Sequence, residues 1–394
     1  MEKIYLSEYA SEIRYIPMEV DLNYLLGFTS EFYADFSEDY ILESDGRICL
    51  LYDNTGHFLR QIGEQGRGPG EYTGMIYRIF LRGDKIYLQD MQGLNLLEYR
   101  TDGSFLERQN NILYSDENFR MTRDIYVLND SLIIGQIETQ TGHEECMALL
   151  FDKNGAVIEY YKNYTRFKLE YGVRYAFSSD AVFHKFGNTV YFKHGINDTL
   201  FRLDVNNQLQ PAYVFNLGKY GMPVSDRGKN DAIFEQSSYI QIRNVFQTKN
   251  YIVIVCGYGD NFPASRLTPI IVKSPSGKDA IIWKNTTSVV GVYEKETDHL
   301  ALSEPTNTDN HLFTSGFYND IDAGPRFIPE KMINDSMFVM KLNFNYLVEH
   351  VESNDFKNNI PKNPEQKEKL ATLVDSLKNV DFDNPVYMLV TFKN

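Results

Sequence analysis

The sequence predicts an all-β fold. Six small antiparallel sheets stand radially as a β-propeller, closed by strands from both ends of the chain, with one short C-terminal helix. Three observations carry this expectation. A unit recurs six times, beginning with Asp or Asn and continuing in apolar and aromatic residues. Asn-Gly and Asp-Gly turns separate strand-like runs and are strong hairpin signals, because both residues tolerate positive φ. Tyr and Phe number 28 and 26 among 394 residues, and both favour strands.

The unit starts at Asp39-Tyr-Ile-Leu42, Asp84-Lys-Ile-Tyr-Leu88, Asp130-Ser-Leu-Ile-Ile134, Asn188-Thr-Val-Tyr-Phe192 and Asn250-Tyr-Ile-Val-Ile254. A weaker sixth start is Asn310-His-Leu-Phe313. The starts lie 45, 46, 58, 62 and 60 residues apart, room for two to four strands each, which is the blade period of a propeller. Turns at Asn54-Thr-Gly56, Asp102-Gly103 and Asn154-Gly155 fit this period. The whole chain, 1–394, reads as one domain. A β-sandwich, or two unrelated β domains, is the alternative.

Arg60 to Tyr72 holds four glycines and a proline in thirteen residues, so neither a helix nor a central strand forms there. It is expected to link one sheet to the next. Near the N-terminus, Ile4-Tyr-Leu6 and Ile13 to Val20 read as extended runs, with Pro17 suited to an edge. Leu370, Leu373, Val374 and Leu377 follow helical spacing, giving a helix over about 364–379 with Pro364 at its start. Val386 to Phe392 is a strand, expected to close the ring beside N-terminal residues in the first or last blade.

A net charge of −15 argues against general affinity for nucleic acid or anionic lipid. Cys49, Cys146 and Cys256 are far apart with no Cys-x-x-Cys, so buried free thiols are expected. No apolar run approaches the 18–20 residues or so of a membrane-spanning helix. Met1 to Tyr5 lacks the apolar core of a signal peptide. That fits a cytoplasmic protein, or one whose targeting segment has been removed.

Several stretches carry candidate chemistry. The Gly63–Gly70 loop has the backbone to cradle a phosphate, but lacks the Gly-Lys-[Ser/Thr] ending of a P-loop, so a structural linker is the reading preferred. Within it, Arg67 is suited to pin loop carbonyls or to bind a ligand carboxylate. Asp320 and Asp322 flank Ile321, and in an extended segment both carboxylates point one way. They are a candidate Ca²⁺ pair, with an Asx-turn loop as the commoner use of such residues. His184 and His194 bracket one hairpin and can approach each other, but His143-Glu-Glu-Cys146 is not a zinc-protease signature, so no zinc site is expected. No Gly-x-Ser-x-Gly elbow is present. With 54 acidic residues, sequence alone nominates no glycosidase pair.

The run Asp53 to Tyr72 resembles the signature of six-bladed β-propeller proteins of Bacteroides-type bacteria, and is similar to repeats of the NHL propeller group. Tyr15-Ile-Pro-Met-Glu19 and Phe317 to Pro329 fit the same family, so the resemblance spans essentially the whole chain. It implies a six-bladed propeller, exported and often a lipid-anchored lipoprotein of the cell envelope, with no established activity and no catalytic residues to carry over.

The function expected is a non-enzymatic ligand-binding or protein-interaction module, with a small molecule, a glycan or a protein as partner. The ligand is expected on one face, near the channel, at the ends of innermost strands: Asp90, His194 and Asp320, with Arg67 and Tyr72 from the linker. The alternative is a carbohydrate-active hydrolase or lyase using channel carboxylates. A third reading, a partner-docking protein, requires a broad exposed apolar patch.

Overall fold

A computed structural model describes the chain except for residues 22, 25, 27–32, 91–94, 110–120, 140, 171–180, 230–238, 258–268, 274–278, 284–287, 305–315, 379–383 and 394. Six four-stranded antiparallel sheets form a ring. Blade 1 comprises Ala34–Phe36, Tyr40–Ser44, Cys49–Asp53 and Phe58–Gln61. Blade 2 is Ile76–Arg82, Lys85–Asp90, Asn95–Arg100 and Phe105–Gln109. Blade 3 runs Met121–Val127, Leu132–Ile137, Cys146–Asp152 and Val157–Lys162. Blade 4 follows with Val182–Phe186, Thr189–Lys193, Thr199–Leu203 and Leu209–Val214. Blade 5 has Gln241–Gln247, Tyr251–Gly257, Ser288–Glu294 and His299–Leu302. A hairpin, Pro269–Lys273 with Asp279–Trp283, is inserted between its second and third strands.

Blade 6 closes the ring. Its strands run outward as Lys331–Met332, Met337–Leu342, Val386–Phe392 and the N-terminal Ala10–Pro17. The C-terminal strand therefore lies inside a sheet, paired antiparallel on both sides, with Ile13 opposite Val390 and Phe338 opposite the same residue. Pro17 ends the outermost strand, an edge where its missing N–H breaks no ladder.

The expected repeat is real, but its phase differs. Asp39, Asp84, Asp130, Asn188 and Asn250 sit at the turn before each blade's second strand. The second strands are the more visible in sequence because both their faces pack on neighbouring sheets, so they run nearly unbroken in apolar residues. Tyr251–Gly257 is buried from Ile252 onward, whereas the outermost strands Val157–Lys162 and Leu209–Val214 are largely exposed. The sixth start at Asn310 lies outside the described residues. In blade 6 the corresponding turn is Asn334-Asp-Ser336, before Met337–Leu342. The insertion in blade 5 stretches the last interval, whereas the long connections from Lys162 to Val182 and from Val214 to Gln241 stretch the two before it.

The turns between third and fourth strands behave as their composition requires. Gly56, Gly103 and Gly155 have φ of 87°, 87° and 82°, and blades 4 and 5 place Asn207 and Asp298 at positive φ in the same turn. In blades 1, 3 and 4 one carboxylate oxygen organises it: Asp53, Asp152 and Asp204 each accept two backbone N–H groups.

Apolar cores fill the gaps between adjacent blades. Leu42, Leu51, Ile79 and Leu88 join blades 1 and 2, while Ile16, Phe36, Leu50 and Tyr387 join blades 6 and 1. Much of the aromatic excess goes here: Tyr52, Tyr87, Tyr99, Phe151, Phe192, Phe338 and Phe392 are fully buried. Cys49, Cys146 and Cys256 are buried free thiols.

Among the described residues four α-helices accompany the ring: α1 (Leu6–Tyr9), α2 (Phe344–Glu352), α3 (Asn354–Asn358) and α4 (Pro364–Lys378). The last matches the helix read from sequence. The connection between Leu342 and Val386 thus carries three helices, not one. Asn343 caps α2 by accepting the Tyr346 N–H, and Phe344, Leu347 and Val351 bury its inner face in the blade 5–6 core. No helix among the described residues is long and apolar enough to cross a membrane.

Candidate functional site: the central cavity and its polar belt

The innermost strands of all six blades enclose a cavity of about 540 Å³. Its lining includes Asp35, Arg78, Arg82, Asp124, Tyr126, Phe183, His184, Asn244, Phe246, Glu330 and Lys331. Antiparallel sheets leave every other side chain of such a strand facing the channel or a neighbouring blade.

A belt of polar contacts runs from blade to blade around this cavity. Lys331 Nζ of blade 6 donates to Asp35 Oδ1 of blade 1 at 2.7 Å, and to Ala34 O at 2.8 Å. Asp35 Oδ2 accepts the Leu81 N–H and Arg82 Nη1 of blade 2 at 2.7 and 3.0 Å. Arg78 of blade 2 donates through Nε (3.1 Å) and Nη2 to Asp124 Oδ1 of blade 3. Asp124 Oδ2 accepts the N–H of Ala181, at the entry to blade 4, at 3.0 Å. Asn244 Nδ2 of blade 5 donates to Glu330 O, beside blade 6, at 3.4 Å.

At the blade 4–5 junction the contact is aromatic. His184 stacks on Tyr191, with ring centroids 5.0 Å apart and planes 5° apart, and meets the Phe246 ring edge-on at 6.2 Å. Both its ring nitrogens are buried and without a hydrogen bond. Burial, with Lys295 adding a smaller like-charge effect, holds its pKa down at about 3, so the imidazole is neutral.

Electrostatics decide what these acids can do. Burial works against the Asp35 carboxylate, but Lys331 and Arg82 outweigh it and hold the acid below its usual range. Glu330 is the exception. Burial pushes it up to about 7, against a 2.7 Å hydrogen bond from the Lys341 N–H.

The residues nominated from sequence lie elsewhere. Asp90 and His194 end and follow second strands, not innermost ones, because the recurring Asp/Asn unit begins at the second strand of each blade. Asp90 Oδ2 accepts both the N–H and hydroxyl of Thr73 at 2.8 Å. His194 Nε2 donates to Ile137 O at 3.1 Å. Tyr72 is fully buried, its hydroxyl donating to Arg47 O at 2.8 Å. Thr73 brings the linker onto Asp90, so Tyr72 and Asp90 are near neighbours, whereas His194 and Asp320 are in other sectors of the ring.

The glycine-rich stretch links blade 1 to blade 2 as expected. Gly63 and Gly70 have φ of +64° and +75°, and a Cβ on either would strike Tyr99 or Phe105. Glu71 Oε2 takes the Gly68 N–H at 2.7 Å, so the loop's own acid occupies a donor that a phosphate would need. Arg67 is exposed. The guanidinium that pins the loop is Arg108, which donates to Glu71 O and to Gly68 O.

Asp320 and Asp322 diverge, because residues 320–323 turn and Ala323 takes φ of 61°. Asp320 accepts Ser7 N (3.0 Å) and Oγ (2.6 Å) and pairs with Lys362 at 3.0 Å. Asp322 Oδ1 accepts Tyr15 OH, Asn319 Nδ2 and the Gly324 N–H, an Asx turn. The two do not converge on one point. Among the described residues no group of three or more His, Cys, Asp or Glu side chains is placed to hold a metal ion.

Six four-stranded blades around a lined central cavity define a six-bladed β-propeller. The chain belongs to the DUF4934 family, a domain of unknown function, whose model matches residues 1–391. Solved structures agree on the fold. A Bacteroides fragilis protein proposed to be exported is 17% identical, aligns over 100% of this chain and 98% of its own, and superposes with a TM-score of 0.64. A DUF4221 member from Bacteroides vulgatus is 10% identical over 98% and 97%, with a TM-score of 0.52. No curated relative matches the chain.

Proposed function

We propose that this protein is a non-catalytic binding propeller of the bacterial cell envelope, with a glycan or other polar ligand docking over the central cavity. The observation carrying this reading is the pairing of the channel carboxylates. Asp35 and Asp124 each spend their oxygens on fixed cations and backbone N–H groups. Glycoside hydrolysis needs one carboxyl free to give a proton and a second free to act as base or nucleophile. Glu330 has the raised pKa of a proton donor, and the neighbouring cavity acids Asp35 and Asp124 are committed to fixed partners. A paired, charged belt is suited to recognition, since its groups are held in place before a ligand arrives.

Tyr126 and Phe183 support a sugar. Their rings stack at 5.6 Å on the cavity wall, with the Arg82 guanidinium 4.6 Å from the Tyr126 ring centre. Flat rings of this kind pack on sugar C–H faces while charged groups hold hydroxyls. The envelope address rests on the family resemblance and on the export proposed for the Bacteroides fragilis neighbour. Thermal unfolding against a glycan panel, with products followed in parallel, tests the reading. A ligand at 100 times its Kd adds about 2.7 kcal/mol. Stabilisation without turnover is expected, and turnover refutes the proposal.

A further inference from the structure

A second cavity, of about 720 Å³, lies away from the channel, between the N-terminal segment, residues 318–326 and helices α2 and α3. Lys3, Tyr318, Arg326, Tyr346, His350 and Phe356 line it. Its volume is that of a small-molecule site.

What distinguishes it is two cations that face one aromatic ring and form no ion pair among the described residues. Lys3 Nζ stands 3.4 Å from the centre of the Tyr318 ring, and Arg326 Cζ stands 5.5 Å from the same centre. Neither side chain forms an ion pair or donates a hydrogen bond among the described residues. Arg326 is half-buried, and burial disfavours its charge, offset chiefly by Glu304 at longer range. A guanidinium carries five donors in a rigid fork, and those of Arg326 stay available to a ligand entering the cavity. Other half-buried cations, Arg78, Arg82, Lys85, Lys331 and Lys341, all meet carboxylates.

The platform between the two cations is fixed. Asn359 Nδ2 donates to Tyr318 OH at 2.7 Å, and Tyr5 packs edge-on against the Tyr318 ring at 5.7 Å. His350 Nε2 donates to Ala323 O at 2.9 Å, holding α2 against the turn that precedes Arg326.

We propose that this rim cavity binds a small organic carboxylate that carries a ring. The carboxylate takes the Arg326 fork and Lys3, and the ring lies against the tyrosines. Glu349 and Asp355 also line the cavity. They suit hydroxyl or amide donors on the ligand and disfavour a dianion, so the site selects a monocarboxylate over phosphate. The site is independent of the ligand proposed for the central cavity.

Isothermal titration of the full chain with galacturonate and benzoate tests this, with galactose, benzamide and inorganic phosphate as controls. Binding of at least one of the two acids is expected, at least tenfold tighter than its neutral counterpart and tighter than phosphate. Arg326→Gln is expected to abolish it. Lys3→Gln alters a side chain with no hydrogen bond, so it leaves folding intact and should weaken binding several-fold. Lys331→Met in the central cavity should leave binding unchanged. Failure of both acids to bind, equal binding of the neutral analogues, or full affinity in Lys3→Gln and a folded Arg326→Gln overturns the proposal.

Discussion

Lys331 Nζ lies 2.7 Å from Asp35 Oδ1, joining the innermost strand of the last blade to that of the first, 296 residues away in sequence. Ring closure therefore combines an ion pair at the hub with a shared sheet at the rim.

The hub fastening is expected to be worth more when broken than when made. Asp35→Ala leaves Lys331 and Arg82 charged, buried and unpaired, which costs about 3–5 kcal/mol. Lys331→Met, which removes one cation but leaves Asp35 to Arg82 and the Leu81 N–H, should cost less. Urea unfolding of both variants checks the order.

At the rim, Val386–Phe392 is paired on both sides. Deleting residues 386–394 removes the third strand of blade 6 and strands Ala10–Pro17 without a neighbour. Loss of the cooperative unfolding transition is expected by calorimetry, whereas deleting an outermost strand of an ordinary blade would leave a weakened but cooperative one.

The linker carries its own constraint. Gly70→Ala forces a side chain into φ of +75° and brings its Cβ within 2.8 Å of Phe105. A loss of about 1–3 kcal/mol follows from the backbone alone. Arg67→Ala, on an exposed side chain, should change stability by less than about 0.5 kcal/mol.

His184 and His194 should make the protein acid-sensitive. Burial holds them neutral, with pKa values lowered from 6.5 to about 3 and about 4. Unfolded histidines protonate near 6.5, so below that pH the unfolded state binds more protons and stability falls as pH falls. Each contributes a slope of up to about 1.4 kcal/mol per pH unit. Denaturant midpoints of wild type and His184→Phe between pH 7 and 4 check this; the variant should show the shallower dependence.

Local signals made most of the fold legible in sequence. Positive-φ turns at Gly56, Gly103 and Gly155, the helix spacing of Leu370 to Leu377, and the closing strand were all readable because each depends on neighbours in the chain. The phase of the repeat was not, since buried second strands outshine the polar innermost ones. Helix α2 was overlooked, although Asn343 as a cap and the spacing of Phe344, Leu347 and Val351 were available signals. The belt was invisible for a physical reason. Asp35, Arg82, Arg78, Asp124 and Lys331 are ordinary charged residues until ring closure brings their blades together. Arg326, by contrast, lies inside the Phe317 to Pro329 stretch that carries the family resemblance, but its half-burial without an ion pair shows only in the folded chain.

The most direct measurement is mass-spectrometric detection of products from glycans that stabilise the protein, for wild type and Glu330→Gln. Stabilisation with no product from either protein is the result expected of a binding propeller. Product formed by wild type and lost in Glu330→Gln would contradict it, and would make Glu330 a proton donor in a hydrolase or lyase.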